Sequence, residues 1–272
     1  VAANGKIMKY LGATYLYPAS FEMLIYASQL LQMDAIRYGV EHFRRHRIRC
    51  MGTVIWQLND IWPVASWSSI DYYGRWKALH YAEVRMFAPI LISAEENGEI
   101  NGRPYCIQEP APVDKSVRLN VSNETTNSVN GEVRWRLCDP RSAVLDEGRF
   151  ETEIPALSSV WFDRMDFGAC DELEINLYYE FAMDDRVVSS GTCIFTAPKH
   201  YHFSDPRLRF DIDGDVIRIS SDAYAQKIMI ENEAGDLKLS DNYFDMEAGS
   251  IEVKIISGSH DGIYIRSVYD IR

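Results

Sequence analysis

Apolar residues recur at helical spacing after Ser20. They fall at Met23, Tyr26, Leu30 and Met33, and on an adjacent stripe at Leu24, Ala27, Leu31 and Ala35. Two adjoining stripes predict a well-buried helix. Ser20 is placed to cap it, Glu22 lies in its first turn, and Arg44, Arg45 and Arg47 suit the negative end of its dipole. Residues 50–56 then form a short run that is apolar on both faces, the pattern of a strand buried on both sides in a parallel sheet. A loop rich in Trp, Pro and Ser covers residues 58–74. A second helix is predicted over residues 75–87, ending before Pro89. Helix, strand, loop and helix make one step of an α/β fold, and one step cannot close a sheet.

After residue 90 the period changes to two. Val117, Leu119 and Val121 alternate, then Val133, Trp135 and Leu137, then Leu173, Ile175 and Leu177, with further alternation over residues 192–195. Turn clusters separate them at residues 123–127, 139–140 and 146–148, which predicts an antiparallel β-sandwich. A boundary falls at residues 198–206. Strands follow at 208–212, 216–220, 226–230, 251–256 and 263–268, with Asp213-Gly214 as a hairpin turn. The chain therefore reads as mainly β, with units at residues 1–92, 97–198 and 203–272.

Charge sharpens this division. Of the net −12, residues 1–90 contribute 10 Lys and Arg against 6 Asp and Glu, whereas the remainder carries 18 against 34. The acidic bulk argues against a nucleic-acid partner. The 272 residues are 47% hydrophobic and 25% charged, values of a globular protein. No run approaches the ~20 apolar residues of a membrane helix. The chain begins at Val1 rather than Met, which is expected of a piece of something longer. Cys50, Cys106, Cys138, Cys170 and Cys193 form no C-x-x-C pair and read mostly as free thiols, with one disulfide in the acidic region left open.

Candidate chemistry concentrates between residues 56 and 76, where Trp56, Trp62, Trp67 and Trp76 are joined by Tyr72 and Tyr73. Trp56 ends the predicted strand. In an α/β barrel the C-terminal strand ends form the active-site face, where an aromatic ring is a platform for the apolar face of a sugar. Trp76 is assigned to core packing on the second helix. Asp60 lacks the second carboxylate that glycoside hydrolysis requires, so a structural role suits it better. His42 and His46 have zinc spacing, but Glu41 stands outside the H-E-x-x-H order and three arginines flank the pair. Asp211, Asp213 and Asp215 loosely resemble a calcium loop, but the glycine is misplaced and the closing Glu is absent, as in a solvated turn. No metal or cofactor is expected. Asn120-Val121-Ser122 and Asn123-Glu124-Thr125 are glycosylation sequons.

The run Gly52-Thr53-Val54-Ile55-Trp56-Gln57-Leu58-Asn59-Asp60-Ile61-Trp62-Pro63 closely resembles the β-mannosidases of glycoside hydrolase family 2. The match extends through Ser66-Trp67-Ser68-Ser69-Ile70-Asp71 and Gly74-Arg75-Trp76-Lys77-Ala78-Leu79-His80-Tyr81. It also reaches back to Phe21-Glu22, Ser28-Gln29 and Glu41-His42-Phe43-Arg44-Arg45. Near the other end, Ser240-Asp241-Asn242-Tyr243-Phe244-Asp245 resembles the family's C-terminal immunoglobulin-like domain. The resemblance implies the last α/β step of a truncated TIM barrel followed by two immunoglobulin-like sandwiches. It implies a retaining, exo-acting parent enzyme that removes terminal β-linked mannose. Its two catalytic glutamates would lie upstream of Val1, leaving this chain inactive alone. Trp56 would line the sugar pocket, with Asn59 and Asp60 shaping the loop around it. The rival reading is a non-catalytic immunoglobulin-like module that binds carbohydrate or protein. A lone barrel step would also expose an apolar patch over residues 23–33 and 54–56, open to self-association or to cover by a sandwich.

Overall fold

The computed structural model describes residues 2–98 and 113–271, so Cys106 lies outside the described residues. Helices α1 (Ala2–Thr14), α2 (Phe21–Arg45) and α3 (Ala78–Met86) precede the strands. The first sandwich contains β1 (Ile90–Glu96), β2 (Ser116–Asn123), β3 (Val129–Cys138), β4 (Val144–Ile154), β5 (Ser158–Asp166), β6 (Asn176–Met183) and β7 (Arg186–Ile194). Its two sheets run β1-β2-β5 and β4-β3-β6-β7, with every pairing antiparallel. The second contains β8 (Arg209–Asp213), β9 (Val216–Ser221), β10 (Ala225–Asn232), β11 (Lys238–Leu239), β12 (Phe244–Met246), β13 (Gly249–Ser257) and β14 (Ile263–Arg266). Its sheets run β12-β10-β14 and β11-β13-β9-β8. The mainly β expectation holds.

The local reading of α2 is accurate at its start, where the Ser20 side chain accepts a bond from the Met23 amide. The first apolar stripe is buried from Tyr26 to Met33, whereas in the second Ala27 is buried, Leu24 and Leu31 are half-buried and Ala35 is exposed. Tyr26, Ala27, Leu30 and Met33 join one core with Ile217, Ile219, Ile228 and Ile230 of the second sandwich. The patch expected at residues 23–33 is therefore covered by that sandwich. The basic far end of α2 is packed against the first sandwich. Arg45 is buried, donates to the Ala94 carbonyl at 3.2 Å and lies 3.7 Å from Glu41. Arg44 donates to the Met86 carbonyl, while Ser122 and Ser159 of the first sandwich donate to the Arg44 and Arg45 carbonyls. The last carbonyls of a helix lack i+4 amides, so the sheet supplies donors here, the Arg44 carbonyl accepting from the Arg47 amide as well.

The motif at residues 240–245 docks the second sandwich onto the helices. Arg85 of α3 pairs with Asp241 and donates to the Asn242 and Tyr243 carbonyls. Asn242 mimics a strand, exchanging bonds of 2.9 and 2.8 Å with both backbone groups of Ile230. Buried Tyr243 stacks on Tyr26 and tilts against Tyr81. Asp245 accepts from the amide and ammonium of Lys227, at a β-bulge in β10, and from Thr192 of the first sandwich. Burial opposes ionisation of Asp245, but Lys227 and Thr192 outweigh it and hold the carboxyl below its ordinary range.

The strand predicted at residues 50–56 is not formed. A parallel strand exists through hydrogen bonds to its neighbours. Among the described residues no strand pairs with this run. The second helix begins at Ala78 rather than at residue 75, so Trp76 precedes it. The first sandwich begins with β1, upstream of residue 97. Both sequon asparagines are fully buried: Asn120 accepts from Ser122 and Ser159, and Asn123 bonds to the Asn127 and Ile154 carbonyls. Neither side chain is open to modification in the folded chain.

Candidate functional site

The chain leaves α2 at His46 and crosses residues 46–77 without helix or extended sheet. Val54 is 93% exposed and Trp56 73%. The Trp56–Gln57 peptide is cis. Beyond it the loop folds back on itself through bridges between Asn59 and Ile70 and between Ile70 and Trp76. The Ile70 amide donates to the Leu58 carbonyl at 2.8 Å, and the Asp60 amide to the Ile70 carbonyl at 3.2 Å. Gln32 of α2 holds the loop from below through the Trp67 carbonyl, and Gln29 accepts from the Ala78 amide.

Asp60 organises this loop from inside. It is buried and accepts from Ser66 at 2.5 Å, from Ser68 at 2.7 Å and from the Lys77 ammonium at 3.5 Å. Desolvation would raise its pKa, but the two hydroxyls and the ammonium prevail and hold the carboxyl below its ordinary value. A carboxylate engaged in this way is a structural anion, not a proton donor. Asn59 is exposed, and its side chain donates to the Asp60 carbonyl. The three residues singled out from sequence thus lie on one loop with separate surroundings. Trp56 presents its ring to solvent, Asn59 braces the backbone and Asp60 anchors the interior. Trp62 and Trp67 are also exposed on this loop, whereas Trp76 packs beside His80 and Tyr81.

Sequence reasoning missed Ser66, Ser68 and Lys77 as the partners of Asp60. Their signal was a buried acid followed by two hydroxyls and a lysine, a pattern without periodicity. His42 and His46 stack with ring centroids 4.3 Å apart, and His46 Nδ1 contacts the His42 carbonyl. Among the described residues no group of three His, Cys, Asp or Glu is arranged to hold a metal. Cys50, Cys138, Cys170 and Cys193 are free thiols, and burial pushes Cys138 up to about 12. Trp56 lines neither of two surface cavities. One, of about 210 Å³, lies among Val40, Arg44, Arg47 and Cys50. The other, of about 540 Å³, separates the tip of the loop from the second sandwich.

Residues 115–200 match the family model of the mannosidase Ig/CBM-like domain. The β-mannosidase B of Thermothelomyces thermophilus is 25% identical over 93% of this chain, which covers 32% of that enzyme. The β-mannosidase of Capra hircus is 35% identical over 40% of the chain and 13% of its own length. The crystal structure of the β-D-mannosidase from Dictyoglomus thermophilum superposes with a TM-score of 0.81 over 97% of this chain and 32% of that one, at 22% identity. The Amycolatopsis orientalis exo-chitosanase shares the fold at a TM-score of 0.63 and 13% identity. Paired antiparallel sandwiches carried on a helical segment are the fold that the chain shares with that mannosidase structure. Over nearly its whole length the chain is thus similar to a C-terminal portion of β-mannosidases of glycoside hydrolase family 2. It spans about a third of the length of the relatives that match nearly all of it.

Proposed function

We propose that this chain is the supporting portion of a retaining, exo-acting β-mannosidase that releases terminal β-linked mannose. In this reading residues 1–92 are the end of the catalytic barrel, and the sandwiches over 97–198 and 203–272 buttress it. Trp56 forms an aromatic wall of the sugar pocket. Asn59 and Asp60 hold the loop that presents it. The observation that carries the reading is Trp56 itself, 73% exposed at the head of a loop whose interior acid is already satisfied. A large apolar ring presented to solvent suits a hexose, whose ring carbons form an apolar face and whose hydroxyls need only a few polar partners.

Retaining hydrolysis requires an acid/base and a nucleophile, two carboxyl groups about 5–5.5 Å apart. Asp60 is occupied by Ser66, Ser68 and Lys77 and serves neither role. Both carboxylates belong to the remainder of the enzyme, and the isolated chain is inactive. The purified chain is expected to give no turnover of an aryl β-mannoside. Turnover abolished by Trp56→Ala would overturn this, since it would locate a working centre within the chain. In a complete enzyme carrying this segment, Trp56→Ala is expected to reduce kcat/KM at least about tenfold, the scale of one lost aromatic contact of ~1.5 kcal/mol.

A further inference from the structure

The larger cleft has no part in the reading above. We infer that it is an accessory subsite for an uncharged hexose unit of the same oligosaccharide, a deepening that rests on the proposed function for the identity of the sugar. One wall is the turn at residues 71–76. There Asp71 accepts from the Tyr73 and Arg75 amides at 2.9 Å each, and Gly74 takes a positive φ of 79°. This turn holds Tyr73 67% exposed, with the Arg75 guanidinium 5.1 Å from its ring centroid. The opposite wall comes from the second sandwich and is built of backbone. A Cβ on Gly258 would meet the Asp236 carbonyl oxygen at 2.7 Å, and one on Gly235 would come within 3.5 Å of Arg75 Nη1. Gly258 thus lets the chain pack directly on the backbone of residues 236–237, and Gly235 leaves the space facing Arg75 open.

Its composition favours a saccharide. The volume of about 540 Å³ falls within the ~300–1,000 Å³ of small-molecule sites. Tyr73 supplies an apolar surface, and Arg75 and Lys238 supply donors. Asp71 bonds Arg75 at 2.6 Å and Asp236 offsets Lys238, so these four groups carry no net charge. That balance suits a neutral polyol better than an anion. The cleft is also coupled to Trp56 by the loop itself. The bridges from Asn59 to Ile70 and from Ile70 to Trp76 set the cleft wall two strand spacings, about 10 Å, from Asn59. A short oligosaccharide spans that distance.

The test is calorimetric titration of the purified chain with mannotriose and mannopentaose. Binding of mannopentaose is expected. It should weaken at least tenfold in Tyr73→Ala and in Lys238→Ala, and stay within twofold of wild type in Val187→Ala, a change at an exposed position of β7. Gly235→Asn tolerates the positive φ of 64° while filling the cleft, and it should act like Tyr73→Ala. Circular dichroism confirms that each variant is folded. No heat from mannopentaose at millimolar concentration overturns the subsite, as does equal affinity in wild type and both cleft variants. Binding of inorganic phosphate in place of the sugar also overturns it. Loss of binding through Trp56→Ala alone would favour the Trp56 wall and overturn the subsite, so the two readings fail separately.

Discussion

Three donors converge on Asp60, and the local chain was folded to bring them there. Ser66, Ser68 and Lys77 all lie within 17 residues of the acid, so the cluster is local in sequence although it has no periodic signature. Its titration has a definite sign. The folded carboxyl titrates below its ordinary value of 3.8, so its contribution is fully present above that pH and is lost as pH falls below it toward the folded pKa. Asp60→Asn keeps the shape but removes the charge that pairs Lys77. It is expected to cost about 1–3 kcal/mol near neutral pH, with the gap to wild type narrowing below about pH 3.8. Urea titrations followed by tryptophan emission at pH 7 and at pH 3.5 read both effects. Equal midpoints for the two proteins at pH 7 would remove Asp60 as the anchor. The arginines at the end of α2 teach the opposite lesson. Their place at the helix C-terminus was legible, but not that Arg45 is enclosed between Glu41 and a sheet supplied by residues far along the chain.

Strands whose apolar residues alternate in sequence were legible, and strands without that alternation were not. β2, β3, β9, β10 and β13 were anticipated within a few residues because their apolar residues recur at period two, although β2 and β10 are buried on both faces. β4 was missed because nearly all its residues are exposed or half-exposed, including apolar Val144 and Leu145, so nothing alternates. The Leu173 and Ile175 alternation belongs to the turn before β6 rather than to the strand. What fixes the four-stranded sheet is a cross-strand pairing that hydropathy does not register. Trp135 stands opposite Gly148, and Tyr179 opposite Gly191. A Cβ at Gly148 would lie 2.7 Å from the Trp135 ring, and one at Gly191 2.6 Å from the Tyr179 hydroxyl. Each aromatic side chain lies across the bare backbone of its neighbour. Gly148→Ala and Gly191→Ala are therefore expected to destabilise by about 1–3 kcal/mol each through overpacking. Gly12→Ala in α1, where nothing lies within 4 Å, is expected to stabilise by about 0.5–1 kcal/mol. Thermal unfolding of the three variants checks the contrast, and a neutral Gly191→Ala would show that the Tyr179 ring moves aside freely.

At the scale of the whole molecule, α2 is the spine. Its first half is buried in the core of the second sandwich, and its last carbonyls are bonded by serines of the first. The step from basic to acidic composition near residue 90 coincides with the start of β1 at Ile90, so charge located where the helical segment gives way to sheet. Neither charge nor pattern could show which apolar surfaces the sandwiches would cover, since that depends on contacts more than a hundred residues apart. The outcome is asymmetric. The α2 face is covered, while Met51, Val54, Trp56, Ile61, Trp62 and Trp67 remain between 60 and 93% exposed on one segment. Single exposed apolar residues are ordinary, but a continuous group of them marks an interaction surface. The isolated chain is accordingly expected to self-associate through this segment as its concentration rises. Sedimentation velocity over a concentration series reads the effect. A Val54→Asp, Trp62→Ser double variant should shift the distribution to monomer without changing the far-ultraviolet spectrum, because both side chains lie outside the cores. Wild type that sediments as a monomer at every concentration, or a double variant that associates as strongly as wild type, would show that the surface is not adhesive by itself.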